Sequence, residues 1–495
     1  MTKWNRVGAG AAFAAFLGST AIYADVTAQQ VWDSWTGYYT SFGYDVSIGA
    51  QNMDGDTLVV TDAVFTSTMP EGKGSAVITV PEIRLKEVGD GTVDVVTSEV
   101  IPMDVTTQED DETVKMAMTL RQTDTLTKVS GTPDNMAYNI TAPMMAVEMG
   151  EVVTNGDAIP VKVRVALTDS SGTYAVDTAS GSQIKSDFSS ARMDFTVSGA
   201  DPESSTTFNL NGDLVDLKML GDFVLPANID MNDMAAALNL GLKMTGNFTY
   251  GAGQYMMDFD GPDGAGKINA SADTGKLDFA MSKEGLHYGA GGTNTKMEMA
   301  VPDMPFPINA AIDETLVSFA MPLAKSSDPA PFAATLKLVG VSVSEELWAM
   351  FDPTAQLPHD AATLIVDLAG TATLLADIFD PAMASADTPP GELNSLDVKA
   401  VQLTAAGAEL TGNGAMTFDN SAGAPVPLGA IDLKLVGANA LMDKLVAMGL
   451  LPQDQVMGAR MMLGLFAVPT GEDELTSKIE FKKGGSIYAN GQQLQ

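Results

Sequence analysis

One motif near residue 260 has residue types that could hold phosphate. Residues 261–267 have the glycine and lysine spacing of a phosphate-binding loop, but Ile268 stands where that loop requires Ser or Thr for magnesium. Asp258, Asp260 and Asp263 surround the segment and would repel phosphate. We therefore interpret residues 261–267 as the turn of a β-hairpin.

The same aspartates could instead supply oxygen ligands to calcium. Asp258 and Asp260 have the alternating spacing of a calcium-binding loop, but Pro262 occupies the third ligand position. The acidic run at residues 108–112 could attract cations only weakly. We interpret both segments as solvated turns.

Nucleophilic catalysis is poorly supported. Ser182 and Lys185 have the spacing of the catalytic pair in penicillin-recognising enzymes, but the companion Ser-Asp-Asn and Lys-Thr-Gly motifs are absent, and so is Gly-x-Ser-x-Gly. The chain has no cysteine, so no thiolate nucleophile, disulfide or cysteine-based zinc site can form.

The two histidines, His287 and His359, are far apart in the sequence. A catalytic zinc ion usually binds at least two His or Cys ligands, so we interpret both as surface or loop residues. The 63 acidic residues offer too many carboxylate pairs for any one pair to indicate glycoside chemistry. The sequence therefore predicts no catalytic, cofactor-binding or metal-binding residue, and we expect a protein that is not an enzyme.

The acidic composition restricts the partners. With 27 basic and 63 acidic residues the net charge is −36, which repels phosphate and argues against nucleic acid and anionic lipid surfaces. Because 45% of the residues are hydrophobic, the chain can nevertheless bury a core and fold. The charge is most simply interpreted as a solubilising surface.

The N-terminus has the parts of a secretory signal peptide. Lys3 and Arg6 precede an uncharged apolar run at residues 7–22, and Ile22 and Ala24 fit a cleavage site. We expect cleavage after Ala24 and a periplasmic location, and a retained anchor is the alternative. No later run approaches the ~18 apolar residues of a membrane-spanning helix, so no further span is expected.

A helix is predicted directly after this leader. Thr27 and Gln30 fit a capping box, and Gly43 fits the C-terminal stop. One apolar stripe of helical period joins Val31, Trp32, Trp35, Tyr38, Tyr39 and Phe42. The polar side of this helix lacks the Lys and Arg that bind anionic membranes, so we expect the helix to pack on a sheet.

From Tyr44 onward the hydrophobic period changes to two. At residues 114–120 and 161–167 apolar side chains alternate with polar or small ones, as in strands with one buried and one solvated face. Turn residues separate such runs at Asp54-Gly55, Asp90-Gly91, 108–112 and 170–172. The sequence predicts a mainly β, β-rich α+β fold of long, curved antiparallel meander sheets, with a few covering helices near the N-terminus and in the C-terminal third.

Proline and small polar residues mark candidate linkers at residues 302–307, 325–331 and 385–391. We predict three segments, a signal peptide at 1–24, an N-terminal β-rich region at 25–325 and a C-terminal strand and helix region at 326–495.

Three further helices are predicted in the C-terminal region. The first has Ser342 and Glu345 at its cap and stops before Pro353. The second is centred on Leu445, and the third, which is rich in methionine, spans residues 455–466.

Two short matches suggest an internal repeat in this region. Residues 337–340 recur at 434–437 as Lys-Leu-Val-Gly, and Leu357-Pro358 recurs as Leu451-Pro452 in the same order. Chance similarity is the alternative.

Methionine is unusually frequent, at 30 residues. Many lie on the apolar phase of strands, such as Met116 and Met118, or on predicted helices, such as Met457 and Met461. Because methionine is flexible and polarisable, these residues could form an adaptable surface for acyl chains or a changing partner. Ordinary core filling is the alternative.

Several short motifs together resemble one family. They are Ala24-Asp25-Val26 with Val31-Trp32-Asp33-Ser34-Trp35, then residues 55–60, 89–93, 438–466 and 479–492. The chain resembles the alphaproteobacterial domain-of-unknown-function family 2125 and, more loosely, the AsmA-like group of β-rich envelope proteins, some of which are linked to phospholipid traffic. The resemblance implies a Gram-negative envelope location and carries over no catalytic residue.

The sequence leaves two hypotheses about function. The leading one is a non-enzymatic periplasmic envelope protein that binds or shuttles a lipid or another hydrophobic ligand. The alternative is a structural or interaction module of the envelope with a sealed core and protein partners. The first hypothesis predicts a continuous apolar surface that the helices leave uncovered, and the second predicts a fully covered one.

Overall fold

The structure is a computed structural model. It describes residues 25–41, 43–68, 73–109, 112–178, 182–201, 204–226, 229, 233–302, 304–380, 383, 390–421 and 424–494. The predicted signal peptide at residues 1–24 lies outside the described residues.

The predicted N-terminal helix is confirmed as α1, Ala28–Ser41. Its capping box is formed, because the N–H of Thr27 donates to Gln30 Oε1 over 3.0 Å and the N–H of Gln30 donates to Thr27 Oγ1 over 3.2 Å. At the other end Gly43 has a φ of 81°, and its N–H donates to the Thr40 carbonyl. Local signals therefore begin and end this helix as the sequence predicts.

In the described part of the chain, 28 strands form one antiparallel sheet. Their bounds are β1 Tyr44–Ser47, β2 Ala50–Asp54, β3 Thr57–Thr68, β4 Gly74–Glu87, β5 Val93–Thr97, β6 Val100–Glu109, β7 Glu112–Thr123, β8 Leu126–Thr132, β9 Asn135–Thr154, β10 Asp157–Ile159, β11 Val161–Asp177, β12 Ser182–Ala200, β13 Thr207–Leu225, β14 Lys243–Tyr250, β15 Gly253–Gly261, β16 Gly264–Ala272, β17 Thr274–Ser282, β18 Gly285–Ala300, β19 Ile308–Met321, β20 Ala330–Val343, β21 Ala362–Leu374, β22 Gly391–Ala405, β23 Ala408–Asp419, β24 Val426–Val436, β25 Val468–Gly471, β26 Glu474–Phe481, β27 Ile487–Ala489 and β28 Gln492–Gln493.

If each interrupted strand is counted as one, the order of the strands along the chain is also their order across the sheet from β1 to β24, which pairs with β26. For example, β11 pairs with β12, β12 with β13, β18 with β19 and β20 with β21. Some long strands are interrupted once, so β14 and β15 both pair with β13. Pairing also continues from β19 to β20, across the predicted boundary at residue 325. The mainly β class and the antiparallel meander are confirmed.

The interruptions lie at matching positions on successive strands and form one line across the sheet, which we call the seam. Seam residues with a φ between 48° and 53° are Asp62, Asp124, Asp169, Asp216 and Asn294. Four pairs of opposing residues at the seam are left out of the strand pairing. They are Asp62 with Pro81, Asp169 with Pro143, Asp169 with Ala191, and Asn294 with Asp313. Such breaks bend a strand and increase its twist, and a proline cannot donate to the ladder. The sheet is therefore bent along the seam.

The alternation of side chains shifts by one residue at the seam. In β3 the buried apolar side chains are Leu58 and Val60 before Asp62, and Ala63 and Phe65 after it. Paired residues of antiparallel strands point to the same face. The shift therefore keeps one apolar face continuous on both sides of the seam.

One predicted turn is wrong. Ser170, Ser171 and Gly172 lie inside β11 and pair with β12. The preceding Asp169, with a φ of 49°, belongs to the seam, and aspartate tolerates this conformation in turns and in strand breaks alike. The other predicted turns lie at strand ends: Asp54 ends β2, 90–91 lies between β4 and β5, and 108–112 includes the last residues of β6 and the first residue of β7.

All three predicted C-terminal helices are present. They are α3 Glu345–Phe351, α4 Ala438–Ala447 and α5 Gln453–Phe466. The predicted cap of α3 is wrong by two residues, because β20 extends through Ser342 and the N-cap is Ser344. A short helix, α2 Met234–Asn239, was not predicted.

The predicted repeat falls on similar elements in different settings. Gly340 and Gly437, which end the two Lys-Leu-Val-Gly segments, both have positive φ, 68° and 76°. Gly340 lies inside β20, whereas Gly437 is the N-cap of α4. Duplication remains a prediction.

Candidate functional site

The strand register aligns apolar side chains in rows that run across the sheet, perpendicular to the strands. We call the side that bears them the apolar face. On one side of the seam, the first apolar row joins Phe188, Met219, Phe248, Leu277, Ala290, Val317, Leu336, Val366 and Val401. On the other side, the second apolar row joins Met118, Met149, Val163, Val197, Leu210, Met257, Ile268, Met299 and Ile308.

Much of this face is open to solvent. In the first row, Met219, Leu277 and Val317 are 49%, 39% and 43% exposed, and the neighbouring Phe319 is also exposed. Beyond the seam, Tyr255 lies beside the second row and is exposed too. Contiguous exposed apolar surface of this extent marks interaction sites on soluble proteins.

Helices cover only parts of the apolar face. Val31 and Trp32 of α1 are buried in a cluster with Leu58, Leu85 and Val129 of the first strands. Tyr138 belongs to the same cluster and stacks on Tyr174 with ring centroids 4.2 Å apart, and burial raises the pKa of the Tyr174 phenol.

The second covered part lies at α2. Leu238 of this helix and Leu242, which follows it, pack in one cluster with Met281 and Leu323. On β13 and β17, two of the strands that carry the α2 cluster, Met219 and Leu277 of the first apolar row remain exposed.

The opposite face of the sheet is polar and carries cross-strand ion pairs. Arg121 Nε lies 2.8 Å from Glu148 Oε2, and Arg192 Nη2 lies 3.2 Å from Asp213 Oδ1. The hydrogen bond from Arg121 lowers the pKa of the Glu148 carboxyl. Most of these side chains are half exposed, so each pair contributes little stability. Their main consequence is that the two faces differ sharply in polarity.

The motif at 261–267 is confirmed as a hairpin, because β15 ends at Gly261 and β16 begins at Gly264. Ser182 and Lys185 both lie in β12, three residues apart. Side chains three positions apart on a strand point to opposite faces, so these two groups cannot act together. Neither motif forms a site.

The two histidines are in unrelated settings. His287 lies in β18, half exposed. His359 is in the loop after α3, where its ring stacks on Trp348 at 4.4 Å and its Nδ1 lies 2.8 Å from Glu345 Oε2. Its Nε2 lies 3.7 Å from Asp352 Oδ2.

Asp352 is the buried centre of this loop. Its Oδ1 accepts the N–H of Gln356 over 3.0 Å, and its Oδ2 accepts the N–H of Leu357 over 2.6 Å. Desolvation raises its pKa, but the two N–H donors and His359 outweigh desolvation and lower it. Asp352 therefore holds the loop between α3 and β21 in place.

The described residues contain no group of three or more His, Cys, Asp or Glu side chains that could hold a metal ion. Within the same ranges, none of the helices is both long and apolar enough to cross a membrane.

Together, the sheet and its two faces define a class of protein, an antiparallel β-meander with one open apolar face and one polar face. Residues 259–488 match the family described as "Uncharacterized protein conserved in bacteria (DUF2125)". The resemblance seen in the sequence is therefore confirmed over these residues. The motifs before residue 94 lie outside the match.

Among curated proteins, none matches the chain. A solved structure that matches is the alcaligin outer membrane receptor FauA from Bordetella pertussis, at 9% identity, over 90% of this chain and 69% of that chain, with a TM-score of 0.16. A TM-score this low does not indicate a common fold.

Proposed function

We propose that this is a non-enzymatic protein of the bacterial envelope that binds a lipid or another hydrophobic ligand on its apolar face. The observation that carries the proposal is the alignment of exposed apolar side chains on every second strand of one row, at Met219, Leu277 and Val317. An ordinary core would bury these side chains, and an ordinary surface would not align them.

The dimensions of the rows suit acyl chains. Nine strands spaced ~4.8 Å apart give each row a length of ~38 Å, whereas one layer of a bilayer's hydrocarbon core is ~15 Å thick. An acyl chain that lies along a row would cover side chains on several successive strands. The methionines of the second row, such as Met257 and Met299, can adapt to chains of different shape.

The predicted signal peptide supports a periplasmic location. The charge of −36 supports a ligand taken up as single molecules, because an acidic protein is repelled by an anionic membrane surface.

A second candidate function is an interaction module with protein partners. It is favoured by α5, where Met457, Met461 and Met462 are more than half exposed on one short helix. Val456 is the buried residue of this helix, so much of its apolar surface is uncovered.

Native mass spectrometry of the protein, purified from its own envelope fraction without detergent, tests the first proposal. We expect added masses that disappear after extraction with organic solvent and that lipid analysis identifies as acyl-containing molecules. Protein that carries no such mass and takes up no lipid after delipidation would contradict the proposal. Recovery of a stoichiometric protein partner instead would favour the second candidate.

A further inference from the structure

A groove of about 990 Å³ lies on the polar face, opposite the second apolar row. It crosses seven strands, from Arg192 on β12 to Ser342 on β20. At ~4.8 Å between strands, six steps give it a length of ~29 Å. It is therefore long enough for an extended polymer.

The register lines the groove with two parallel, mainly polar rows of side chains. Between them runs a third row, whose side chains point to the apolar face: Phe195, Gly212, Tyr255, Ala270, Met297, Ala310 and Val343. The first row joins Asp194, Asp213, Gln254, Ser271, Lys296, Ala311 and Ser342. The second row joins Thr196, Asn211, Met256, Asn269, Glu298 and Asn309. The backbone groups of these strands are used in the sheet, so a ligand in the groove meets mainly side chains.

Contacts between neighbouring strands position several of these groups. Gln254 Nε2 donates to Asp213 Oδ1 over 2.9 Å, and Asn269 Nδ2 donates to Glu298 Oε1 over 3.4 Å. Within the described ranges, no hydrogen bond involves the side chain of Asn309, whose amide can both donate and accept. The groove thus has ordered polar groups with unused hydrogen-bonding capacity.

The charge of the lining distinguishes between ligand classes. Its charged residues are Arg192, Asp194, Asp213, Lys296 and Glu298, two basic and three acidic. The lining is therefore nearly neutral, although the whole chain has a net charge of −36. A polyanion would be repelled by the protein as a whole, and a polycation would find more carboxylates elsewhere.

We infer that this groove binds a neutral, hydroxyl-rich oligosaccharide. Each sugar hydroxyl both donates and accepts hydrogen bonds. It can therefore pair with the amide and hydroxyl side chains of the lining, which donate and accept, and with its carboxylates, which accept. Met256, at the middle of the second row, supplies an apolar contact for the C–H side of a sugar ring. The site is on the opposite face from the proposed lipid surface and is independent of it.

Isothermal titration calorimetry of the mature protein with neutral oligosaccharides of glucose and of N-acetylglucosamine tests the inference. We expect at least one to bind, with an affinity that changes less than twofold between about 50 and 500 mM salt, because no net charge is neutralised. The double variant Asn269→Ala/Asn309→Ala should bind at least tenfold more weakly. Ser271→Trp should abolish binding by filling the groove.

Asn139→Ala is the matched control, because Asn139 is an exposed side chain on β9, away from the groove. It should leave binding unchanged, and circular dichroism should show the same strand signal in all variants. The inference is overturned if no neutral oligosaccharide binds at millimolar concentration, if only a sulphated or cationic polymer binds, or if folded groove variants bind as well as the native protein.

Discussion

Replacing three exposed side chains of the first apolar row should weaken the binding of acyl ligands without unfolding the sheet. The change is Met219→Thr, Leu277→Thr and Val317→Thr together. Full burial of such a side chain contributes about 1.5–3 kcal/mol. These residues are 49%, 39% and 43% exposed, so a ligand that covers them gains about two-fifths of that amount from each, or about 2–4 kcal/mol in total.

Threonine keeps one methyl group and a high strand propensity, so only part of this free energy is lost. We expect affinity to fall by about tenfold to a hundredfold, since each 1.4 kcal/mol is a factor of about ten. The assay is fluorescence titration of delipidated protein with an environment-sensitive palmitate analogue. Chemical denaturation of each variant shows whether the fold is kept.

The chain offers a matched control on the polar face. Leu220 and Val96 are 48% and 45% exposed, which is close to the values for the first apolar row, but they point to the opposite side of the sheet. Leu220→Thr with Val96→Thr should leave the affinity unchanged. The reasoning is refuted if the triple variant binds within twofold of the native protein, or if the control variant loses as much affinity as the triple variant.

Three further predictions concern stability. Trp32→Ala should lower the free energy of unfolding, measured by urea denaturation, by about 3–5 kcal/mol, because this buried ring fixes α1 to the sheet. A loss below about 1 kcal/mol would show that α1 is not part of the core. Asp352→Asn should lower the melting temperature at neutral pH. The difference from the native protein should shrink as the pH falls below about 4, because the pKa of Asp352 is lowered in the folded state and its stabilisation is lost on protonation. A difference in melting temperature that stays constant down to pH 2 would contradict this role of Asp352. Asp169→Val should lower the free energy of unfolding by about 1–2 kcal/mol, since a β-branched residue is strained at a φ of 49°. Asp169→Gly should leave it nearly unchanged. Equal denaturation midpoints for the two variants would argue against the seam geometry.

Local signals were sufficient for most elements of the fold. Thr27, Gln30 and Gly43 set the ends of α1, and all three do so in the structure. The two-residue period predicts the strands in the same way, because alternation depends only on neighbours in the sequence. The short helix α2, at six residues, is too brief to leave a periodic signal.

The binding surfaces could not be predicted, because they depend on register. Met219, Leu277 and Val317 are aligned only when the pairing of every intervening strand is known. The polar groove has the same origin, since Asn211 and Asn309 are nearly a hundred residues apart in the sequence. Alternation predicts that one face is apolar, but not which side chains are adjacent on it.

The sequence did not predict the seam for a different reason. Asp169 followed by two serines and a glycine has the composition of a turn, and no local feature distinguishes a turn from a break inside a strand. The signal that could have found it is the recurrence of Asp or Asn near the middle of successive long strands, opposite Pro81, Pro143 and Gly251.

This recurrence has a consequence for how the polypeptide finds its native pairing. A strand with strict two-residue alternation can slip by two positions and still present the same side chains to the same face, so a long meander of similar strands has many nearly equivalent misalignments. A left-handed Asp or Asn that lies opposite an unpaired residue of the next strand removes this degeneracy, because a slipped strand would place a hydrogen-bonding residue against the break. The seam therefore favours a single register between each strand and its neighbour.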